Sequence, residues 1–304
     1  MKRIRTWVEQ NRKRLLDELL AFLSQPSVST TGLGIEKTVG ILEAELDRLG
    51  FETHLFTQEG AYPVVFGEAG DPDSPVSLCI YGHYDVQDPD PLSEWKSDPF
   101  APEVRGGKIY ARGATDDKGN LFANLKAAEA VRSILGVLPI RLKFFFEGEE
   151  EIGSPNLRAY LSTYAERLRA DATVVCDRGV HESGRPQIYL GDKGLVSVRV
   201  RCRHAGRDVH SGHAPLIPSS PWNLIRLLGS MKDHEDRIQI PGFADDIEGP
   251  TDSELALLDS IPFDSEEFCR QYGISRILAG GGPADRLRSL LFSPTCNISG
   301  IRSG

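Results

Sequence analysis

Val76-Ser77-Leu78-Cys79-Ile80-Tyr81-Gly82-His83-Tyr84-Asp85-Val86 is an apolar run that ends in a histidine and, two residues on, an aspartate. Residues two apart in an extended chain point to the same side, so the Asp85 carboxylate can lie near the His83 imidazole. That spacing suits a metal ligand and its orienter, because a metal-bound histidine usually gives its second ring N–H to a carboxylate or carbonyl. A histidine beside a strand end is more often a hydrogen-bonded core or surface residue, so the surrounding chain has to decide between the two.

Outward from this run, short apolar segments alternate with helical patterns. Strands are expected at about 51–56, 62–66 and 76–81, with Asp71-Pro72-Asp73-Ser74-Pro75 as a turn before the last. A helix follows over about 119–135, then a strand from Ile140 to Phe146, a helix near 156–168 and a strand from Ala172 to Cys176. Ahead of them, Ile4, Trp7, Val8, Leu15, Leu16, Leu19 and Leu23 recur at helical spacing, and a second helix over 34–49 stops at Gly50. Lys and Arg on the first helix read as its solvated face. Strands alternating with helices predict an α/β domain with a largely parallel sheet covered by helices on both faces.

From about Gly191 the pattern changes. Leu195-Val196-Ser197-Val198-Arg199-Val200-Arg201-Cys202 alternates apolar and polar residues and predicts a strand with one wet face. Helices are expected near 221–231 and 252–259, so we divide the chain into residues 1–190 and a second, α+β domain over 191–304.

The 304 residues, 40% of them hydrophobic, can bury a sizeable core, which fits two domains. A net charge of −9 and a pI of about 5.4 argue against nucleic acid or an anionic membrane as the main partner. No apolar run is long enough to span a bilayer, and the first residues lack a signal-peptide core, so a cytoplasmic location is expected. The five cysteines are scattered and odd in number, as for reduced thiols.

Acidic residues gather just after the expected strands: His83 and Asp85 after Ile80-Tyr81, Glu147, Glu149, Glu150 and Glu151 after three phenylalanines, and Asp177 after Cys176. Lys108 to Arg112 leads through Gly113-Ala114-Thr115 to Asp116-Asp117 and a helix start. In α/β sheets, loops at the carboxyl ends of the strands converge on ligands. Each acid also has a simpler reading: a helix cap for Asp116 or Asp117, a solvated loop for 147–151, a turn for Asp177. Together, though, so many like charges at the end of a buried strand call for cations. One histidine with several carboxylates suits Zn²⁺ or a harder divalent ion, and a shared carboxylate would hold two ions about 3.5–4 Å apart.

Five ordered motifs then carry a family resemblance across the whole chain: Gly82-His83-Tyr84-Asp85-Val86-Gln87, Trp95-Lys96-Ser97-Asp98-Pro99-Phe100, Arg112-Gly113-Ala114-Thr115-Asp116-Asp117-Lys118-Gly119, Glu147-Gly148-Glu149-Glu150-Glu151-Ile152-Gly153-Ser154 and Asp208-Val209-His210-Ser211-Gly212. In order and spacing the chain resembles the carnosinase-type dinuclear-zinc metallopeptidases. Their larger family includes carboxypeptidase G, acetylornithine deacetylase and succinyl-diaminopimelate desuccinylase. The wording is nearest to the cytosolic nonspecific dipeptidases. The resemblance implies that His83 and Asp177 bind one zinc, Asp116 bridges two, Glu151 binds the second, Glu150 is the general base and Asp85 orients His83. It also implies a cis peptide between Asp116 and Asp117.

Further implications are two Zn²⁺ per complete site, with Mn²⁺ or Co²⁺ as substitutes, and hydrolysis of dipeptides. The second domain would be a lid that forms a homodimer, in which His210 reaches the partner's site and stabilises the oxyanion. Alternatives are a deacylase acting on an N-acyl amino acid, or a catalytically inactive dimerisation module. The family supplies one more zinc-binding histidine on a later return of the chain, which this sequence does not contain. The 304 residues are therefore expected to be a C-terminally truncated form whose lid is incomplete and whose second zinc keeps Asp116 and Glu151 without the histidine, which puts metal affinity and turnover of the chain alone in question.

Overall fold

In the computed structural model, which describes residues 2–179 and 187–303, the chain forms two compact units, Met1–His181 and Glu182–Gly304. The first begins with α1 (Lys2–Leu23) and α2 (Ile35–Arg48), followed by β1 (Glu52–Phe56), β2 (Val64–Ala69) and β3 (Ser77–His83). A short pair, β4 (Glu103–Arg105) and β5 (Lys108–Tyr110), precedes α3 (Lys118–Leu135). The unit ends with β6 (Arg141–Glu147), α4 (Leu157–Thr163), α5 (Ala165–Leu168) and β7 (Ala172–Val175).

Five strands form one sheet in the order β1-β2-β6-β3-β7. Strands β6, β3 and β7 run parallel, as expected, while β2 and β1 add an antiparallel edge. Phe144, Phe145 and Phe146 explain why β6 sits inside. Alternate side chains leave a strand on opposite faces. Phe144 and Phe146 accordingly pack with Phe22, Leu42, Leu46, Leu121 and Leu125, whereas Phe145 packs with Phe56, Phe66 and Tyr160. A strand apolar on both faces thus fills two cores at once, one roofed by α1, α2 and α3 and the other by α4.

Between α1, α2 and α3 the polar contacts are charged. Lys126 Nζ lies 2.6 Å from both Glu18 and Glu45 and 3.2 Å from Glu129, and Arg48 joins Glu45 to Glu129.

The chain passes from β3 through α3 to β6 on one side of β3, then through α4 and α5 to β7 on the other. The carboxyl ends of these three strands therefore flank the point where the winding reverses, where α/β sheets bind ligands. His83 ends β3, Glu147 ends β6 opposite it in register, and Asp177 follows β7.

The second unit contains α6 (Ser220–Ser230), α7 (Asp252–Leu258), α8 (Ser265–Tyr272) and α9 (Pro283–Phe292). Thr251 and Glu254 close a reciprocal cap on α7. The strand expected at 195–202 is not formed. No described segment pairs with those residues, and Leu195 and Val196 stand 92% and 85% exposed. Alternation selects a face only once a neighbouring ladder exists, and none of the described segments supplies one. Among the described residues this unit is helical rather than α+β. No described helix is long and apolar enough to cross a membrane.

Candidate metal centre

His83 is fully buried at the end of β3, and both its ring nitrogens are committed. Nδ1 lies 3.0 Å from the Asp85 carbonyl and 3.3 Å from the Asp85 carboxylate, which assigns the ring N–H to that side. Nε2 is then left facing carboxylates: Asp116 Oδ1 at 3.0 Å, Asp177 Oδ1 at 3.8 Å and Glu150 Oε2 at 3.9 Å. Glu151 joins His83 and Asp116 in one cluster of potential ligand atoms, while Glu150 and Asp177 share His83 in a second, each cluster within 4.8 Å.

Asp85 does more than orient the imidazole. Its buried carboxylate accepts the backbone N–H of Glu150 at 3.2 Å and of Glu151 at 3.0 Å. One side chain therefore fixes the histidine from β3 and both acids of the turn after β6. Asp116 and Asp117 are joined by a cis peptide, as the resemblance implies. Asp117 does not cap α3 with its side chain; it turns inward and accepts the His83 backbone N–H at 3.1 Å. Burial pushes the Asp117 carboxyl up to about 7. Lys118, also buried, ties the start of α3 to the Gln25 carbonyl at 2.6 Å.

The acidic run after β6 divides by direction. Glu150 and Glu151 face the cluster, whereas Glu147 and Glu149 are buried and point elsewhere. Glu147 accepts the hydroxyls of Tyr81 and Ser154. Glu149 accepts the Tyr62 N–H and the Asn156 amide. Sequence reasoning missed Asp117, Glu147 and Glu149. The only available signal was that four glutamates cannot all ligate two ions, and that signal does not say which would turn away.

Burial works against charge on the His83 ring, but hydrogen bonds to Asp116, Asp177 and Asp85 outweigh it and hold the ring's pKa far above the ordinary histidine range. The bond to His83 holds Asp116 below the usual carboxylate range. Burial pushes Glu150 and Glu151 up, and neighbouring carboxylates, Asp177 for Glu150 and Asp116 for Glu151, add to the rise. These shifts describe carboxylates crowded around one imidazole, a repulsion that a bound cation would relieve. Ligand atoms around a tetrahedral zinc, about 2.1 Å from the metal, sit about 3.4 Å apart. The distances of 3.0, 3.8 and 3.9 Å from Nε2 bracket that spacing, and the donors are those zinc takes, so the residues fit the metal.

None of the other described histidines joins these clusters. His210 belongs to the second unit, where its Nδ1 accepts the Gly212 N–H at 3.0 Å. His213 stands edge-on to it, His204 bonds Ser220 and Asn223, His54 pairs with Glu52, and His234 is exposed. His181 lies outside the described residues.

The profile of peptidase family M20/M25/M40 matches residues 79–273, a span that contains every one of these candidate ligands. The chain belongs to this family. Among its relatives, the human Beta-Ala-His dipeptidase is 34% identical over 244 residues, covering 79% of this chain and 48% of the relative. The Cys-Gly metallodipeptidase DUG1 of Candida albicans is 29% identical over 314 residues, covering 97% and 64%. The solved structure of an M20 family metallo-carboxypeptidase, Sso-CP2 from Sulfolobus solfataricus, superposes with a TM-score of 0.84 at 35% identity, covering 95% of this chain and 66% of that one. Human carnosine dipeptidase 1 shares the fold, with a TM-score of 0.72 at 23% identity over 99% of this chain and 69% of that one. The chain spans about half the length of the Beta-Ala-His dipeptidases it matches.

Proposed function

We propose that this chain carries the zinc-binding site of a peptidase that hydrolyses the amide bond of dipeptides, with Glu150 as general base. The observation that carries the reading is the buried His83 Nε2, which faces three carboxylates in two overlapping sets of metal-ligand geometry. His83, Asp116 and Asp177 would hold one zinc, and Asp116 with Glu151 the other. Bound zinc supplies Lewis-acid polarisation of the scissile carbonyl and a more acidic water.

The chain's own groups do the rest. Glu150 takes the proton of the attacking water and returns it to the departing amine nitrogen. Asp85 and Asp117 hold the His83 ring and main chain, so the imidazole enters the reaction already oriented. His210 would stabilise the oxyanion in the site of a partner subunit. The second unit would act as lid and dimer interface, in line with exposed Leu195, Val196, Trp222 and Ile225. Five free cysteines suit work in the cytoplasm.

The similarity to Sso-CP2 favours a second reading, removal of the C-terminal residue from longer peptides. The 31% identity to the succinyl-diaminopimelate desuccinylase of a Wolbachia strain keeps N-acyl amino acids as a third substrate class. Zinc-loaded protein assayed on dipeptides, longer peptides and N-succinyl amino acids separates these readings. Preferred turnover of dipeptides, abolished by Glu150→Gln with zinc content retained, is the expected result. Full turnover by Glu150→Gln removes Glu150 as base.

A further inference from the structure

We infer that Glu149 is a positioning residue for the metal centre, acting through the turn that carries Glu150 and Glu151. The inference rests on the reading of that turn as zinc-binding and goes beyond it by assigning work to an acid that touches no ligand cluster. Glu149 is 4% exposed, and its carboxylate is saturated by groups from two separate elements. Oε1 accepts the Tyr62 backbone N–H at 3.0 Å, from the connection between β1 and β2. Asn156, just ahead of α4, donates its side-chain amide to both oxygens at 2.9 and 3.2 Å. The Glu149 carbonyl meanwhile accepts the N–H of Ile152 at 3.2 Å and of Ser154 at 2.8 Å, closing the turn on itself.

Asp85 grips the next two residues by their amides from the β3 side. The turn is thus clamped from both flanks, by Asp85 at Glu150 and Glu151 and by Glu149 one residue earlier. Removing the Glu149 carboxylate frees one flank and leaves the Tyr62 N–H and Asn156 amide without their buried acceptor. Glu150 and Glu151 then lose a fixed direction relative to His83. Outer groups that aim metal ligands typically change metal affinity by about 10- to 100-fold when removed.

The test is zinc affinity by chelator competition, together with the visible spectrum of the Co²⁺-loaded chain, for wild type, Glu149→Ala and Glu149→Gln. Glutamine keeps an oxygen for the Tyr62 N–H, and its NH₂, in the place of Oε2, can donate to Asn156 once that amide turns its own oxygen inward. Glu149→Ala is expected to bind zinc about tenfold or more weakly and to change the Co²⁺ spectrum, with Glu149→Gln within about threefold of wild type. Unchanged affinity and spectrum in Glu149→Ala overturn the inference, as does equal loss in both variants. If Glu149→Ala does not fold, Asn156→Ala, which removes two of the three bonds, should show the same loss in smaller measure. Wild-type affinity there overturns the inference instead. Wild type that binds no zinc defeats the metallopeptidase reading, and this inference with it, which is a different outcome from a wild type that binds and a variant that matches it.

Discussion

Gly148→Ala tests the geometry of the centre at its tightest contact. A Cβ on Gly148 would lie 2.2 Å from the Tyr84 hydroxyl oxygen and 2.4 Å from the ring carbon that bears it. Relaxed contacts are about 3.5–4.0 Å, so more than about 1 Å must be found. Tyr84 cannot give way. It is fully buried, its hydroxyl donates to the Pro63 carbonyl at 2.7 Å, its N–H donates to the Glu147 carbonyl at 2.8 Å, and its carbonyl accepts Ser27 Oγ at 2.7 Å. The turn after β6 must therefore move, carrying Glu150 and Glu151 away from His83. Overpacking of this kind costs about 1–3 kcal/mol, and the three hydrogen bonds that pin Tyr84 place it near 3. For a unit of this size that lowers the melting temperature by about 6–12 °C. Zinc affinity should fall about tenfold or more. Gly153→Ala is the control: φ is +87° but no atom lies within 4 Å of the added carbon, so only a backbone penalty of about 1–2 kcal/mol applies. Thermal melts followed by circular dichroism, with chelator competition for zinc, decide the matter. A Gly148→Ala chain that melts within about 2 °C of wild type and binds zinc as tightly would refute the reasoning.

Other perturbations have equally definite outcomes. Lys126→Met should lose about 2–3 kcal/mol in urea unfolding at pH 7, because Glu18, Glu45 and Glu129 keep only Arg14 and Arg48 as partners. Burial works to raise Glu45 and Glu129, but bonds to Arg48 and Lys126 leave both below the ordinary value. Their stabilisation is therefore present above the unfolded carboxylate pKa and lost as pH falls through the depressed folded values; a Lys126→Met deficit that does not shrink in acid contradicts this. Cys79 is buried, and burial pushes its thiol up to about 11, so at pH 8 a disulfide reagent should label it only after unfolding. Rapid native labelling at Cys79 would show that β3 opens. Asp85→Asn should weaken zinc binding by about tenfold or more, because an amide NH₂ must face either the Glu150 or the Glu151 N–H, whereas undiminished binding would mean that the turn holds itself.

Much of the first unit could be read from residue order, for reasons visible in the packing. The three phenylalanines of β6 announce a strand buried on both faces, and each is in contact with a core. His83, Glu150, Glu151 and Asp177 follow strands of the sheet and Asp116 precedes α3, so the α/β pattern pointed to a common place, while the choice among the acids came from the family resemblance. What sequence could not supply was direction within a short turn. Glu149 and Glu150 are neighbours of identical chemistry, and only their partners on distant segments, Tyr62 and Asp85, separate their duties. Asp117 looked like a helix cap for the same reason: its acceptor role toward His83 depends on a contact across 34 positions. In the second unit, the alternation at 195–202 stated a preference for a face without providing the neighbour that would realise it.

The grip on His83 has a kinetic consequence. Its main-chain N–H is taken by Asp117 and its Nδ1 by Asp85, so the imidazole has no rotamer search left when a cation arrives. Metal capture by the metal-free chain then has only the Nε2 proton, held by Asp116, to displace, so its rate should rise with pH and fall with added salt, with no slow side-chain rearrangement behind it.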